Sequence, residues 1–231
     1  YVNIPKAPKP PPQPVKLLGI PGHNCPYFEI LAQYYAELSK WFSENEKNIK
    51  NNISVLSNAI SELKSAISLG QSLGEDVSSL QQSLECYCNT LTQLESLNNP
   101  NYAQFYSALS NAYSYLAKFI NLPNPFPTSI GLGLRENPTK QVSEYYAELS
   151  KWFSENEKNI KNNISVLSNA ISELKSAISL GQSLGEDVSS LQQSLECYCN
   201  TLTQLESLNN PNYAQFYSAL AEVYNFLSQY V

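Results

Sequence analysis

A stretch of 76 residues occurs twice in this chain without a single difference. Tyr34 to Leu109 recurs as Tyr145 to Leu220, offset by 111 positions. The similarity continues in weaker form on both sides, so the repeated unit comprises a folded body and the linker that precedes it. Two identical bodies present two identical surfaces, which favours bivalent binding or assembly over a single catalytic cleft. An exact copy also leaves open whether the duplication is natural or engineered.

Apolar side chains recur at steps of three and four through both repeats, a spacing typical of amphipathic helices. One such stripe runs from Val77 to Leu94. Another follows Asn99 and Pro100, which suit the N-cap and the first position of a helix. No period-two pattern typical of strands is evident. The sequence therefore predicts an all-α protein.

The segment from Tyr27 to Leu69 contains neither Gly nor Pro, yet its middle is irregular. Asn45 interrupts the apolar seam, and Ser43 opens a sequence with the form of a capping box. A break near residues 43–52 would give each repeat four helices of similar length, and we expect such an up-down-up-down four-helix bundle. The alternative is one long helix that extends beyond its own bundle and packs by exchange with the other repeat or another molecule.

Proline-rich segments separate the helical regions. Residues 1–25 hold 7 of the 14 prolines, which favours extended polyproline geometry, and residues 122–142 repeat this composition with added glycine. Four parts are predicted: residues 1–25 form a basic extended arm, residues 26–121 the first helical bundle, residues 122–142 a linker, and residues 143–231 the second helical bundle.

Charge is distributed unevenly between the arm and the bundles. Each identical block carries four Lys and eight acidic residues, whereas residues 1–25 carry three Lys and no acid. The arm should therefore contact an acidic bundle. Its candidate contact residues are Lys6, Lys9, Pro11, Pro12, Pro14 and Lys16.

The same balance limits the classes of partner. Acidic bundles disfavour nucleic-acid binding, which leaves only the basic arm suited to it. No run of 18 or more apolar residues occurs, so no membrane span is predicted. The chain's single histidine, His23, lies in the arm, and acidic pairs occur at predicted helix starts, where capping explains them. We expect no catalytic residue, no cofactor, no metal site and no enzymatic activity.

Five cysteines, an odd number, cannot all pair within one chain. Two of them, Cys86 and Cys88, are two apart on a predicted helix and diverge too far to bond each other. We expect at least one disulfide. The candidates are Cys25, Cys86, Cys88, Cys197 and Cys199.

Two further features point to export and to protein contact. Asn52 and Asn163 open glycosylation sequons, and the non-Met residue Tyr1 suggests a processed start. Aromatic side chains are too numerous for one helix face, so those off the apolar seam should form an interaction patch. Its candidates are Tyr34, Trp41, Tyr106, Tyr115, Tyr145, Trp152 and Tyr217.

The arm sequence Pro8-Lys9-Pro10-Pro11-Pro12, followed by low-charge helices rich in Ser, Asn and Tyr, resembles the helical coat proteins of archaeal tailed spindle-shaped viruses. The resemblance covers composition and architecture, and it implies a capsid subunit that assembles helically. We expect a coat, capsid or filament subunit of an extracellular or virion assembly whose main partner is itself. The alternative is a secreted bivalent binding module or adhesin.

Overall fold

The computed structural model describes residues 1–12, 25–124 and 138–230. Within these ranges the chain is helical and contains no strand, which confirms the all-α prediction. Each repeat contributes three helices. They are α1 (Cys25–Ser72), α2 (Ser78–Leu97), α3 (Asn101–Leu116), α4 (Pro138–Ser183), α5 (Ser189–Leu208) and α6 (Asn212–Gln229). Most of the predicted linker lies outside the described residues.

The predicted break near residues 43–52 is wrong, because α1 runs through it as one helix of 48 residues. At a rise of about 1.5 Å per residue such a helix is about 72 Å long. Asn45 is accommodated without a break, since its Nδ2 donates to the carbonyl of Trp41 one turn earlier at 2.8 Å. The absence of Gly and Pro, which are the strongest helix breakers, therefore outweighed the irregular seam.

The first two helices of each repeat are joined by a tight glycine turn. Gly74 has a φ of 75°, and its N–H donates to the carbonyl of Gln71 at 3.1 Å. The N–H of Glu75 donates to the carbonyl of Gly70 at 3.0 Å, which completes a Schellman motif. Gly185 repeats the φ of 75° in the second copy. Identical sequence here gives identical local structure.

Side chains before the shorter helices accept the N–H groups that no helical carbonyl can reach. Asp76 Oδ1 accepts the N–H of Ser78 at 3.0 Å, and Asn99 Oδ1 accepts the N–H of Asn101 at 2.9 Å. Asp76 and Asn99 each lie two residues before the first helical residue, so Val77 rather than Asp76 is the N-cap of α2. These two hydrogen bonds lower the free energy of the helix ends and fix where α2 and α3 begin.

The described residues group into two compact units that cross the repeat boundaries. The first unit contains residues 1–12, 30–111 and 173–191. The second contains the described parts of the remaining chain: residues 25–29, 112–124, 138–172 and 192–230. The end of α4 thus belongs with the helices of the first repeat. The predicted boundaries at residues 26–121 and 143–231 describe the repeats rather than these units.

Each unit contains an apolar cluster that also receives a non-helical segment. In the first unit Leu56, Ile60 and Leu94 are buried together, and Ile4 packs against them. In the second unit a cluster of Trp152, Phe153 and Ile160 receives Leu122. Burying side chains of this size contributes roughly 1.5–3 kcal/mol each to the free energy of unfolding.

Candidate assembly surfaces

Each repeat forms a groove of stacked aromatic rings between its long helix and its third helix. In the first repeat the ring of Phe42 stacks on Tyr102 at 4.8 Å and on Tyr106 at 5.7 Å, measured between ring centroids. Tyr35 stacks on Tyr106 at 5.9 Å. Spacings of three, four and seven residues along α1 and α3 bring these rings to one face. We call this surface, with Phe105 and Leu109 beside it, the first-repeat groove.

The second repeat builds the same stack from the same sequence. Phe153 lies 4.8 Å from Tyr213 and 5.7 Å from Tyr217, and Tyr146 lies 5.9 Å from Tyr217. We call this surface, with Phe216 and Leu220 beside it, the second-repeat groove. The two stacks agree to within a few tenths of an ångström, so the internal geometry of the groove follows from its own residues.

The first-repeat groove is covered by residues 173–188, which we call the second-repeat tip. A Cβ placed on Gly181 of this tip would lie only 2.8 Å from Cε2 of Phe105, so the helix backbone sits directly on that ring. Asn101 Nδ2 and Ser183 Oγ are 3.4 Å apart. Phe105 is accordingly only 6% exposed.

The pKa values of two tyrosines in the groove reflect the same contact. Burial, and after it the carboxylate of Glu186 in the second-repeat tip, raises the pKa of Tyr106 to about 12. The same two causes, in the same order, raise the pKa of Tyr102. Neutral phenols are favoured where water is excluded and a negative charge is near. The tip therefore lies near the tyrosines of the groove, which stay half-buried.

Within residues 1–12, 25–124 and 138–230, no segment covers the second-repeat groove. The groove bounds a cavity of about 530 Å³, and Phe216, the counterpart of Phe105, is 55% exposed. Phe216 is the ring that differs most between the copies, because Tyr213 and Tyr217 are half-buried like their counterparts and Phe153 is buried. The cavity is lined by Tyr145, Tyr146, Leu149, Phe153, Leu208, Tyr213, Phe216, Tyr217 and Leu220.

The first-repeat tip, residues 62–77, is likewise uncovered on one side. Leu73 at its turn is 77% exposed, whereas its counterpart Leu184 is half-buried. Ala66 is exposed, whereas its counterpart Ala177 is fully buried. Identical residues thus cover a groove in one copy and face solvent in the other.

Two short non-helical segments each dock on a long helix through the same pair of side chains. An Asn bonds both backbone groups of one residue of the segment and a Trp bonds a carbonyl three residues later, and we call this arrangement a clasp. Asn52 accepts the N–H of Val2 at 2.8 Å and donates to its carbonyl at 2.7 Å. Trp41 Nε1 donates to the carbonyl of Pro5 at 3.0 Å. The amide of Asn52 is fully buried and fully engaged. The irregular middle of the apolar seam is therefore a docking site for residues 2–5.

The second copy of the clasp uses residues that follow α3. Asn163 accepts the N–H of Ile120 at 2.9 Å and donates to its carbonyl at 2.7 Å. Trp152 Nε1 donates to the carbonyl of Pro123 at 3.1 Å. Sequence reasoning missed both clasps, although a shared pattern of apolar residue, Asn, apolar residue and Pro marks residues 2–5 and 120–123.

The clasps bear on two sequence predictions. Asn52 and Asn163 are fully buried, so a glycan could be attached to Nδ2 of either residue only after the clasp opens. Of the predicted arm contacts, Lys6 and Lys9 are exposed, Pro11 is half-buried and Pro12 is exposed. Pro14, Lys16 and His23 lie outside the described residues.

The predicted interface aromatics occupy different environments. Tyr34 and Tyr145 lie half-buried at the edges of the two grooves, where Tyr106 and Tyr217 belong to the stacks. Trp41 is half-buried and Trp152 is buried, both engaged by the clasps. Tyr115 pairs with Lys118, whose Nζ lies 5.9 Å from the ring centroid.

The cysteine side chains that the structure describes are unbonded thiols. Cys86 and Cys197 are exposed, and Cys88 and Cys199 are half-buried. The side chain of Cys25 lies outside the described part of the chain. The disulfide stays a prediction of the sequence.

Neither a metal centre nor a membrane span emerges from the described residues. In ranges 1–12, 25–124 and 138–230, no three His, Cys, Asp or Glu residues group closely enough to hold a metal ion. Over the same ranges, no helix combines the length and apolar character needed to cross a bilayer. Comparison with protein-family models, with curated proteins and with solved structures finds no match in any of the three.

Proposed function

We propose that this protein is a non-enzymatic structural subunit: a coat, capsid or filament protein that assembles with copies of itself in an extracellular or virion setting. The observation that carries the proposal is the set of large apolar side chains that lie exposed on α6, at the end of α1 and in the turn that follows α1. These are Leu69, Leu73, Phe216, Val223, Phe226 and Leu227. Phe216, Val223 and Leu227 recur at steps of seven and four and so share one face of α6, and exposed apolar surface of this kind marks protein interaction sites.

The finer architecture of the proposal is two helical bundles completed by exchange. The first compact unit combines α1, α2 and α3 residues with the end of α4, which supplies a fourth helical segment. The proline-rich arm begins with the clasp at Asn52, and its exposed Lys6 and Lys9 remain available to an acidic neighbour. In this architecture both bundles serve as contact surfaces, which is the use that twin repeats suggest.

The pKa shifts support a structural role. The largest belong to tyrosines, Tyr106 and Tyr198, and burial is the first cause of each. Stacked or core rings with raised pKa values are what packed aromatic clusters produce. No general acid or base is needed to account for them.

The cavity of the second-repeat groove favours a second candidate function, an adhesin or secreted binding module that takes an apolar ligand there. Bivalence through identical grooves has less support, because the second-repeat tip already covers the first-repeat groove.

Sedimentation velocity and electron microscopy over a wide concentration range test the proposal. A structural subunit should form polymers whose size increases with concentration. A chain that stays monomeric at every concentration and pH would contradict it and favour the binding module. Because Cys86, Cys88, Cys197 and Cys199 are thiols, the measurement is made with and without reductant, so that adventitious disulfides are not counted as assembly.

A further inference from the structure

The covered groove and the open groove have the same sequence, and so do the two tips. Residues 34–42 and 102–109, which build the first-repeat groove, are identical to residues 145–153 and 213–220. Residues 62–77 of the first-repeat tip are identical to residues 173–188 of the second-repeat tip. The chain therefore carries two identical tips and two identical grooves, and among the described residues one tip is joined to one groove.

We infer that the first-repeat tip of one copy of this chain docks into the second-repeat groove of another copy, by the contact that joins the second-repeat tip to the first-repeat groove within one chain. The inference rests on the proposed structural function and names the surfaces that carry it. The occupant is a second copy because the fit between these two residue sets is already displayed inside the first compact unit.

The internal contact specifies the intermolecular one residue by residue. Gly70 takes the place of Gly181 and lies against Phe216. Ser72 takes the place of Ser183 and pairs with Asn212. Glu75 takes the place of Glu186 beside Tyr213 and Tyr217. The exposed Leu73 and Phe216 become buried, as their counterparts are more buried in the internal contact.

The tip and the groove are different surfaces, so the interface between copies is heterologous. After one contact forms, a free groove remains on one partner and a free tip on the other. Contacts of this type produce closed rings or open filaments according to the rotation between copies. Either product fits a structural subunit, and growth passes beyond a dimer wherever the free tip and free groove of the first pair engage further copies rather than each other.

Two alanines allow each surface to be blocked without removing an existing contact. Ala66 is exposed, but its counterpart Ala177 is fully buried and lies one turn from Gly181. Ala219 is exposed, but its counterpart Ala108 is buried one turn from Phe105. Ala66→Glu should block the tip and Ala219→Glu the groove, because docking would bury an unpaired carboxylate.

Each variant alone should raise the concentration needed for assembly at least tenfold, measured by sedimentation. The two variants mixed should form a dimer that grows no further, since one copy supplies the intact groove and the other the intact tip. Ser57→Glu is the matched control, because Ser57 and its counterpart Ser168 are both exposed. Helix content and unfolding midpoint, compared with those of the unaltered chain, verify that all variants are folded.

Three outcomes would overturn the inference. If the unaltered chain assembles and both blocked variants assemble equally well, another surface carries assembly and the proposed function survives without this interface. If the unaltered chain stays monomeric, both proposals fail together. If Ala219→Glu abolishes binding of a different partner while Ala66→Glu has no effect on assembly, the groove belongs to that partner.

Discussion

Phe105 and Phe216 stand at the same position of identical sequences, yet one is 6% exposed and the other 55%. The stacks beside them differ by only a few tenths of an ångström in centroid distance. Local structure is therefore shared by the two repeats, while burial depends on which neighbour covers each groove. The first-repeat groove is covered by the second-repeat tip, whereas none of the residues that the structure describes covers the second-repeat groove. The stacking of the rings is thus determined by the local sequence, whereas the burial of Phe105 and Phe216 is determined by the neighbouring helix.

The largest expected difference between the repeats concerns one leucine of the tips. Leu174 is nearly fully buried, whereas its counterpart Leu63 is half-buried. Leu174→Ala should cost about 3 kcal/mol of unfolding free energy and Leu63→Ala about 1, because the cost follows the buried apolar surface that is removed and the cavity that remains. Chemical denaturation at concentrations where the protein is monomeric measures both. Equal reductions would show that the two tips have the same surroundings.

The clasps should behave alike in both repeats. Asn52→Ala and Asn163→Ala each remove two hydrogen bonds to backbone groups from a fully buried site. We expect a loss of about 1–3 kcal/mol for each, since buried polar groups lose their partners. Hydrogen exchange at Val2 and Ile120 should speed up in the respective variant. A large loss for only one of them would mean that the clasps differ in ways their geometry does not reveal.

Alkaline pH should weaken the covered groove. The pKa of Tyr106 is raised to about 12, above its value near 10 in an unfolded chain. Neutral Tyr106 therefore contributes fully to stability below about pH 10. Between about pH 10 and 12 this tyrosine ionises in the unfolded chain but not in the folded one, so its contribution is lost as the pH rises. Denaturation as a function of pH should show this loss. Tyr106→Phe should reduce it, and a variant with an unchanged alkaline profile would contradict the assignment.

The smallest expected effect concerns the side-chain hydrogen bonds before α2 and α5, which are local and should be the same in both repeats. Asp76 and Asp187 accept the same bonds from Ser78 and Ser189, and these hydrogen bonds lower the pKa of both carboxyls. Asp76→Ala and Asp187→Ala should therefore lower the thermal midpoint slightly and equally. Because a lowered pKa stabilises the fold above its unfolded value, the contribution disappears as the pH falls through the folded pKa. Unequal shifts would show that even capping depends on the neighbour.

Much of the fold could be predicted from periodicity and capping residues. The helical class, and the polar side chains of Asp76 and Asn99 just before α2 and α3, follow from local rules that act within a few residues. The continuity of α1 did not, because Asn45 and Asn52 look like defects in an apolar seam. Asn45 bonds within the helix and Asn52 to Val2, a contact 50 positions away that periodicity cannot detect.

The candidate surfaces were predictable only in part. An excess of aromatic residues indicated an interaction patch, and Tyr34, Tyr106, Tyr145 and Tyr217 do lie at the grooves. Which groove is covered could not be deduced, since the two grooves are identical in sequence. Coverage depends on which of the two identical grooves the end of α4 packs against, and local sequence rules cannot choose between identical surfaces. The similarity of residues 2–5 to residues 120–123 was the one missed signal that would have located the clasps.

The scarcity of charge in the grooves and clasps sets how the molecule responds to ionic strength. The ion pairs found among the described residues, such as Lys50 with Glu46 and Lys161 with Glu157, join neighbouring turns of one helix and are exposed to solvent. Exposed pairs of this kind contribute about 0.3–0.5 kcal/mol, and salt screens them. The grooves, tips and clasps are held by ring stacking, apolar packing and neutral amides. A high salt concentration that dissociates many electrostatically held complexes should therefore leave this protein folded.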